Sequence, residues 1–260
     1  MKTSKSLHNR LIRHLREWHR KLGIIAAFFI IFLSITGVAL NHTTTLSLAH
    51  KPISNLWLLD HYGITPPNDI RFYLDSSLQV TNNLVWLDDK LLLESSDDIV
   101  SAGVMSAKVA KDTTIDVFVI ASQTHLYIYN NQGEMLDQLG EETGIPEGIE
   151  ALSITKDAVT VKASSGYYQS DSDFLYWQAI SPLIEPLWIT AQSVSPQKEQ
   201  QASLAYRSQF LTLERIIVDA HSGRILGLVG VLFMDAVAIL LILLSLSGIY
   251  IWVRYARAKR

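Results

Sequence analysis

The side chains of this chain best suited to ligand or proton chemistry are three histidines and one carboxylate placed beside long apolar runs: His19, His42, His221 and Asp235, with Arg224 near the last. Imidazole titrates near neutrality and is a common metal ligand. An acid inside a membrane marks proton or cation handling, whereas the same acid at the interface needs no such role. The other five histidines, His8, His14, His50, His61 and His125, are scattered and are not expected to form a site. The chain has 260 residues and no cysteine, which excludes disulfides, covalently attached c-type haem and thiolate metal sites. No Gly-x-Ser-x-Gly, phosphate-binding glycine loop, His-Glu-x-x-His or dinucleotide fingerprint is present, and Ser164-Ser165-Gly166 reads as a turn.

The elements that must position these groups are two uncharged apolar runs, residues 22–40 and 236–253. At 1.5 Å rise per residue each spans about 27–29 Å, close to the hydrocarbon thickness of a bilayer. Residues 1–21 carry seven cations (Lys2, Lys5, Arg10, Arg13, Arg16, Arg20 and Lys21) against Glu17, and the tail adds Arg254, Arg257, Lys259 and Arg260. Residues 41–226 hold 11 of the 22 Lys and Arg but 23 of the 25 acids, so the net charge of −3 hides two basic ends and an acidic middle. The positive-inside rule then predicts a bacterial inner-membrane protein with both termini cytoplasmic and the middle periplasmic. Trp18, Tyr250, Trp252 and Tyr255 stand where aromatic rings favour the interface.

A cleaved signal peptide is the alternative for the first run. Its apolar core exceeds the usual length of about 7–15 residues, and the only small-x-small site, Ser47-Leu48-Ala49, lies well past it, so an uncleaved helix is expected. The predicted organisation is a basic cytoplasmic segment 1–21, transmembrane helix 22–40, periplasmic domain 41–226, transmembrane helix 227–253 and basic tail 254–260.

The middle reads as β-rich. Residues 84–93 suggest a strand, a turn at Asp88-Asp89-Lys90 and a second strand; 116–121 and 125–130 lead to the hairpin signal Asn130-Asn131-Gln132-Gly133 and a further strand 134–139. Residues 151–155, 158–163 and 174–180 continue the pattern, and 196–206 read as a surface helix. Ala121-Ser122 and Ala163-Ser164 hint at a repeat of about 40 residues, the length of a propeller blade. There is too little chain for a closed propeller, so a small sheet or sandwich is expected. Residues 215–226 read as a β run, a turn using Gly223, and a second apolar start.

That last segment, Asp219-Ala220-His221-Ser222-Gly223-Arg224, resembles the hairpin of PepSY domains, in which Asp-Ala-x-Thr/Ser-Gly-Lys/Arg separates two apolar strands. Trp18-His19-Arg20-Lys21-Leu22-Gly23 leading into Ser34-Ile35-Thr36-Gly37, and Met234-Asp235 leading into Ser247-Gly248, extend the resemblance to the PepSY-associated transmembrane family over residues 15–42 and 210–254. The resemblance implies a membrane α+β fold, two transmembrane helices bracketing a β-rich periplasmic domain that ends in a PepSY-like hairpin. It also implies a link to iron and siderophore uptake, since larger relatives with more helices are regarded as haem-bearing reductases of ferric siderophores. No Asp-x-x-Ser/Thr-Gly-Ala-Thr/Ser segment for covalent flavin accompanies it.

Haem b held by two imidazoles requires both to face one iron, usually from different helices. His42 follows the first run and His221 precedes the second, so these two form the only pair expected within one chain, near the outer face. His19 lies 23 residues before His42, about 34 Å along a helix, at the cytoplasmic face, where a second copy would have to supply its partner. As bland readings, His19 is an interfacial cation, His42 a helix-end group and His221 an exposed turn residue. Asp235 is expected at the outer interface, because the apolar run is long enough from Ala236 onward; a helix starting near Gly227 would instead place it two turns in. Arg224 is a candidate partner for Asp235 or for lipid phosphate.

Residues 33–38 (Leu-Ser-Ile-Thr-Gly-Val) and 244–249 (Leu-Ser-Leu-Ser-Gly-Ile) are near copies, and such small residues permit close helix approach. Centring both runs in the bilayer sets Gly37 and Gly248 about 14 Å apart along the membrane normal, so the patches are expected to dock a second copy or another inner-membrane protein. Nucleic-acid binding is disfavoured, since anionic lipid accounts for the basic flanks. Two function classes follow: a non-catalytic, inner-membrane-anchored accessory protein in iron uptake or membrane redox, and a haem-bearing electron-transfer protein resembling siderophore reductases.

Overall fold

The computed structural model describes residues 2–258 except 89, 111 and 112. Lys259 and Arg260 of the basic tail and Asp89 of the expected turn lie outside the described residues, as do the side chains of Lys2, Lys5, His8 and Arg10. The chain forms two compact units, one made of Ser54–Phe210 and the other of Met1–Ile53 with Leu211–Arg260.

The Ser54–Phe210 unit opens with a short helix α1 (Leu56–His61), followed by three successive four-stranded antiparallel meanders. The first contains β1 (Ile70–Tyr73), β2 (Leu78–Thr81), β3 (Leu84–Leu87) and β4 (Lys90–Glu94). The second contains β5 (Ile99–Ala110), β6 (Thr113–Ser122), β7 (Leu126–Asn130) and β8 (Met135–Leu139). The third contains β9 (Ile149–Ile154), β10 (Ala158–Ala163), β11 (Gly166–Asp171) and β12 (Gln178–Ile180). The central β domain is therefore antiparallel, but the expected single sheet or sandwich is replaced by three blade-sized sheets. The hinted repeat is real: Thr81, Ala121 and Ala163 each stand at or next to the end of the second strand of their sheet. Of the segment 174–180, only Gln178–Ile180 is a strand.

The period-2 pattern of the second sheet explains the layering. On β6, Val117, Val119 and Ala121 enter one core while Ile120 enters the other; on β7, Leu126 and Ile128 part in the same way from Tyr127 and Tyr129. The first set packs against Leu152, Val159 and Val161 of the third sheet, and the second against Leu78, Val80 and Val85 of the first. A sheet buried on both faces carries near-continuous apolar strands, as Leu126-Tyr127-Ile128-Tyr129 does. Beyond β12 the chain ties the layers together. Ile189 N donates to Leu152 O (2.8 Å), Ser101 Oγ donates to Ile189 O (3.0 Å), and Gln192 N donates to Phe72 O (2.7 Å). A Cβ on Gly103 would come within 2.5 Å of Ile189 Cδ1 and 2.7 Å of Ile154 Cδ1, so this tie also needs glycine in β5.

Helix α2 (Pro196–Ser208) begins with Ser195 accepting from Lys198 N (3.4 Å) and Pro at its first turn, as its composition predicts. Its Arg207 is buried. The Nε donates to Ile64 O (2.8 Å), and the guanidinium pairs with Asp60.

The second unit contains helix α3 (Lys2–Asn41), helix α4 (Leu213–Ser222) and helix α5 (Gly227–Ala258). The expected PepSY-like hairpin is not a β-hairpin here. Leu213–Ser222 is helical, with Thr212 accepting from Arg215 N (3.3 Å) as its N-cap and Gly223 (φ +80°) as its left-handed C-cap. The glycine after an apolar run was a sound stop signal, but it stops a helix. Ile216, Ile217 and Val218 suit a strand by propensity, and packing against α3 overrides that preference.

Residues 16–41 and 224–257 are long and apolar enough to cross a membrane, and only 6% and 11% of their most apolar windows are buried. Ile24, Ile31, Ile35, Ile239, Ile242 and Leu246 all point outward, more than half exposed. A soluble bundle would cover such faces; lipid has to cover these.

Candidate functional site

Helices α3 and α5 run antiparallel. Phe29 meets Phe233 edge-on with ring centroids 5.6 Å apart, while Ala26 and Val237 are buried nearby. On α5 the covered positions, Gly230, Met234, Val237, Leu241, Leu244 and Gly248, alternate by four and three residues, the seam spacing of paired helices. Glycine closes the turn between α4 and α5. A Cβ on Gly223 would sit 2.3 Å from Gly230 O, and one on Gly230 would sit 2.0 Å from Gly223 O, so the two backbones touch.

The two near-copied patches have a role that the sequence did not disclose. Each receives a histidine from elsewhere in the same unit. His221 Nδ1 lies 2.7 Å from Thr36 Oγ1, with His221 Cε1 packed over Gly37. His19 Nδ1 lies 2.9 Å from Ser247 Oγ, with its ring packed over Gly248. In both cases the hydroxyl also bonds back to its own helix: Thr36 Oγ1 to Phe32 O (2.9 Å) and Ser247 Oγ to Leu244 O (2.9 Å). A hydroxyl has one proton. When it donates to the helix carbonyl it must accept from the imidazole, which places the ring proton on Nδ1 and leaves the Nε2 lone pair free. The glycine beside each hydroxyl makes room for the ring.

This arrangement corrects the expected depths. Gly37 sits at the level of His221 and Gly248 at the level of His19, so the patches lie at opposite ends of the helix pair. The 17 residues from His19 to Thr36 amount to about 26 Å, not 14 Å. The patches do not face each other, and in each a histidine of the same unit engages the hydroxyl and covers the glycine, while Ser34 and Ser245 stay exposed.

The expected pair, His42 and His221, is not in direct contact. His42 is exposed at the turn after α3, and no hydrogen bond or ring contact joins the two among the described residues, where no cluster of three or more His, Asp or Glu capable of holding a metal occurs either. Arg224 and Asp235 are both exposed, and no ion pair links them among the described residues. Asp235 lies on α5 between Phe233 and Val237, so it is level with residues 27–31 of α3 rather than with the end of that helix. The buried acid of α4 is Asp219, whose Oδ2 accepts from Arg215 Nε at 2.8 Å.

A cavity of about 610 Å³ opens between α3 and α5, lined by His19, Gly23, Ala26, Ile30, Ser245 and Gly248 among others. Its walls are small or aliphatic, and its one ionisable group is His19. In the β unit, a cleft of about 230 Å³ between α2 and the first sheet is lined by Phe72, Trp86, Asp88 and Lys198. Elsewhere in the β unit Asp97, Thr124 and His125 cluster: Thr124 Oγ1 donates to Asp97 and lies 2.6 Å from His125 Nδ1, which is 3.9 Å from Asp97 Oδ2. A proton relay needs hydroxyl and carboxylate on different imidazole nitrogens. Here both crowd Nδ1, so the cluster braces the turn before β7.

A family model described as the PepSY-associated TM region matches residues 3–254, nearly the whole chain. No curated protein and no solved structure matches it.

Proposed function

Because the chain belongs to the PepSY-associated transmembrane family, we propose that it is an accessory protein of the bacterial inner membrane, a subunit or partner in iron and siderophore uptake or in membrane redox chemistry. Both termini are cytoplasmic in this reading and the β unit is periplasmic, supported by the clustered cations before residue 22 and after residue 253. The observation that carries the non-catalytic role is the separation of the imidazoles. His19 and His221 are each engaged by a hydroxyl on the facing helix, about 26 Å apart, so these two cannot ligate one iron within one chain. Deletion of the gene is expected to impair growth only under iron limitation or on a siderophore as iron source, and protein purified from haem-replete cells is expected to be colourless. Wild-type growth under both conditions would defeat this reading.

The cavity beside His19 favours a second reading, a haem-bearing electron-transfer protein. Its glycine, alanine and serine floor suits a flat apolar ring, and the Ser247 bond turns His19 Nε2 into the available ligand nitrogen. His19 and an imidazole of a second copy would hold the haem, which would supply one-electron transfer when bound. His42 and His221 fit less well, since His42 is exposed and His221 is engaged by Thr36, and neither lines this cavity. A reducible Soret band that disappears in His19→Ala supports this second reading; a band unchanged by His19→Ala, or no band at all, defeats it.

A further inference from the structure

The register of the two long helices places an acid where lipid should be. The cations of α3 fix the depth of the pair, because Arg16, Arg20 and Lys21 resist entering hydrocarbon and the apolar stretch of α3 starts at Leu22. Helix α5 fixes the depth less closely, since its apolar stretch before Arg254 is longer than a bilayer needs. From Gly227 to Val253 its one charged residue is Asp235, in about 39 Å of helix. The contacts Phe29–Phe233 and His19–Ser247 then bring Asp235 level with residues 27–31, about 8–14 Å from the Leu22 end of the apolar stretch and about 14–20 Å from the Leu40 end.

At that depth the carboxylate faces away from the seam. Met234 and Val237 are turned inward, whereas Asp235 shares the outer face with Leu228, Ile239, Ile242 and Leu246. No ion pair or hydrogen bond engages its side chain among the described residues. Ionisable groups at membrane depth normally face a bundle interior and are paired. This one faces the bilayer.

We propose that the outer face of α5 docks against a membrane-spanning helix of a different protein, one that carries a basic side chain at mid-depth to pair with Asp235. Charge selects that partner over a second copy. Residues 22–40 and 225–253 contain no Lys, Arg or His, so another copy offers nothing cationic at this level and would bring only a second acid. The inference does not depend on which side of the membrane holds the β unit, nor on the role of the histidines.

The test uses the full chain in phosphatidylcholine nanodiscs, labelled at Ala258→Cys, the only thiol because the sequence has none. The probe is an acceptor-labelled oligoleucine membrane helix with one central lysine, compared with its all-leucine and end-lysine versions. Energy transfer is expected to report at least about tenfold tighter association with the central-lysine helix, a difference of about 1.4 kcal/mol. Asp235→Leu should abolish that preference, and Asp235→Lys should transfer it to a helix with a central aspartate. Equal binding of the three probes, a preference that survives Asp235→Leu, or self-association that depends on Asp235 and excludes the probe would each overturn the proposal.

Discussion

Two hydroxyl–imidazole bonds and two glycines account for the residue-scale design of the helix pair. Removing one bond through Ser247→Ala or Thr36→Val is expected to lower stability in detergent by about 0.6–1 kcal/mol, read from thermal unfolding. The glycines should differ. A Cβ at Gly248 would approach His19 Cε1 to 3.2 Å, whereas one at Gly37 would stand at an ordinary 3.8 Å from His221 Cε1. Gly248→Ala should therefore displace its histidine, visible as a shifted imidazole resonance, while Gly37→Ala leaves His221 in place. In the β unit, burial pushes the hydroxyls of Tyr73 and Tyr129 above their ordinary value near 10. A raised pKa means that the unfolded chain loses its proton first. Their contribution to stability is complete below pH about 10 and declines as pH rises beyond it, and Tyr73→Phe with Tyr129→Phe should flatten that alkaline limb in a denaturant titration.

Among the elements, the turn joining α4 to α5 is the least tolerant. Gly223→Ala places a side chain at φ +80° and against the carbonyl of Gly230, and Gly230→Ala meets the reciprocal clash. Each should cost well over about 1 kcal/mol, with protease cleavage appearing near residue 223 in the folded protein. The PepSY-like signature was legible as a stop at glycine, yet its secondary structure was not. Short β-branched runs such as Ile216-Ile217-Val218 are ambiguous until their neighbours are known, and here the neighbour is a helix. In the β unit, Arg207→Met should destabilise by about 1–3 kcal/mol, chiefly by leaving Ile64 O without its donor. The Asp60 pair adds little, since that carboxylate is 70% exposed.

At the scale of the whole molecule, the β unit begins and ends where the chain closes on itself, with Ile53 N donating to Leu211 O at 2.8 Å beside a bridge between Pro52 and Thr212. Residues 54–210 expressed alone are expected to fold and to melt cooperatively, because both apolar cores lie inside them. A fragment lacking a cooperative transition would show that the membrane helices are needed to complete it. The sequence by itself determined two membrane-crossing helices around an antiparallel β domain, since hydropathy, charge flanks and strand alternation are local properties of the chain. It also displayed the matching Thr36-Gly37 and Ser247-Gly248 pairs, without saying what they hold. Helix register, the three-sheet layering and the depth of Asp235 were decided only by tertiary structure. Each depends on which side chain meets which across 200 residues or more of intervening chain, as His19 meets Ser247 and Phe29 meets Phe233, or on faces that exist only once the sheets are stacked.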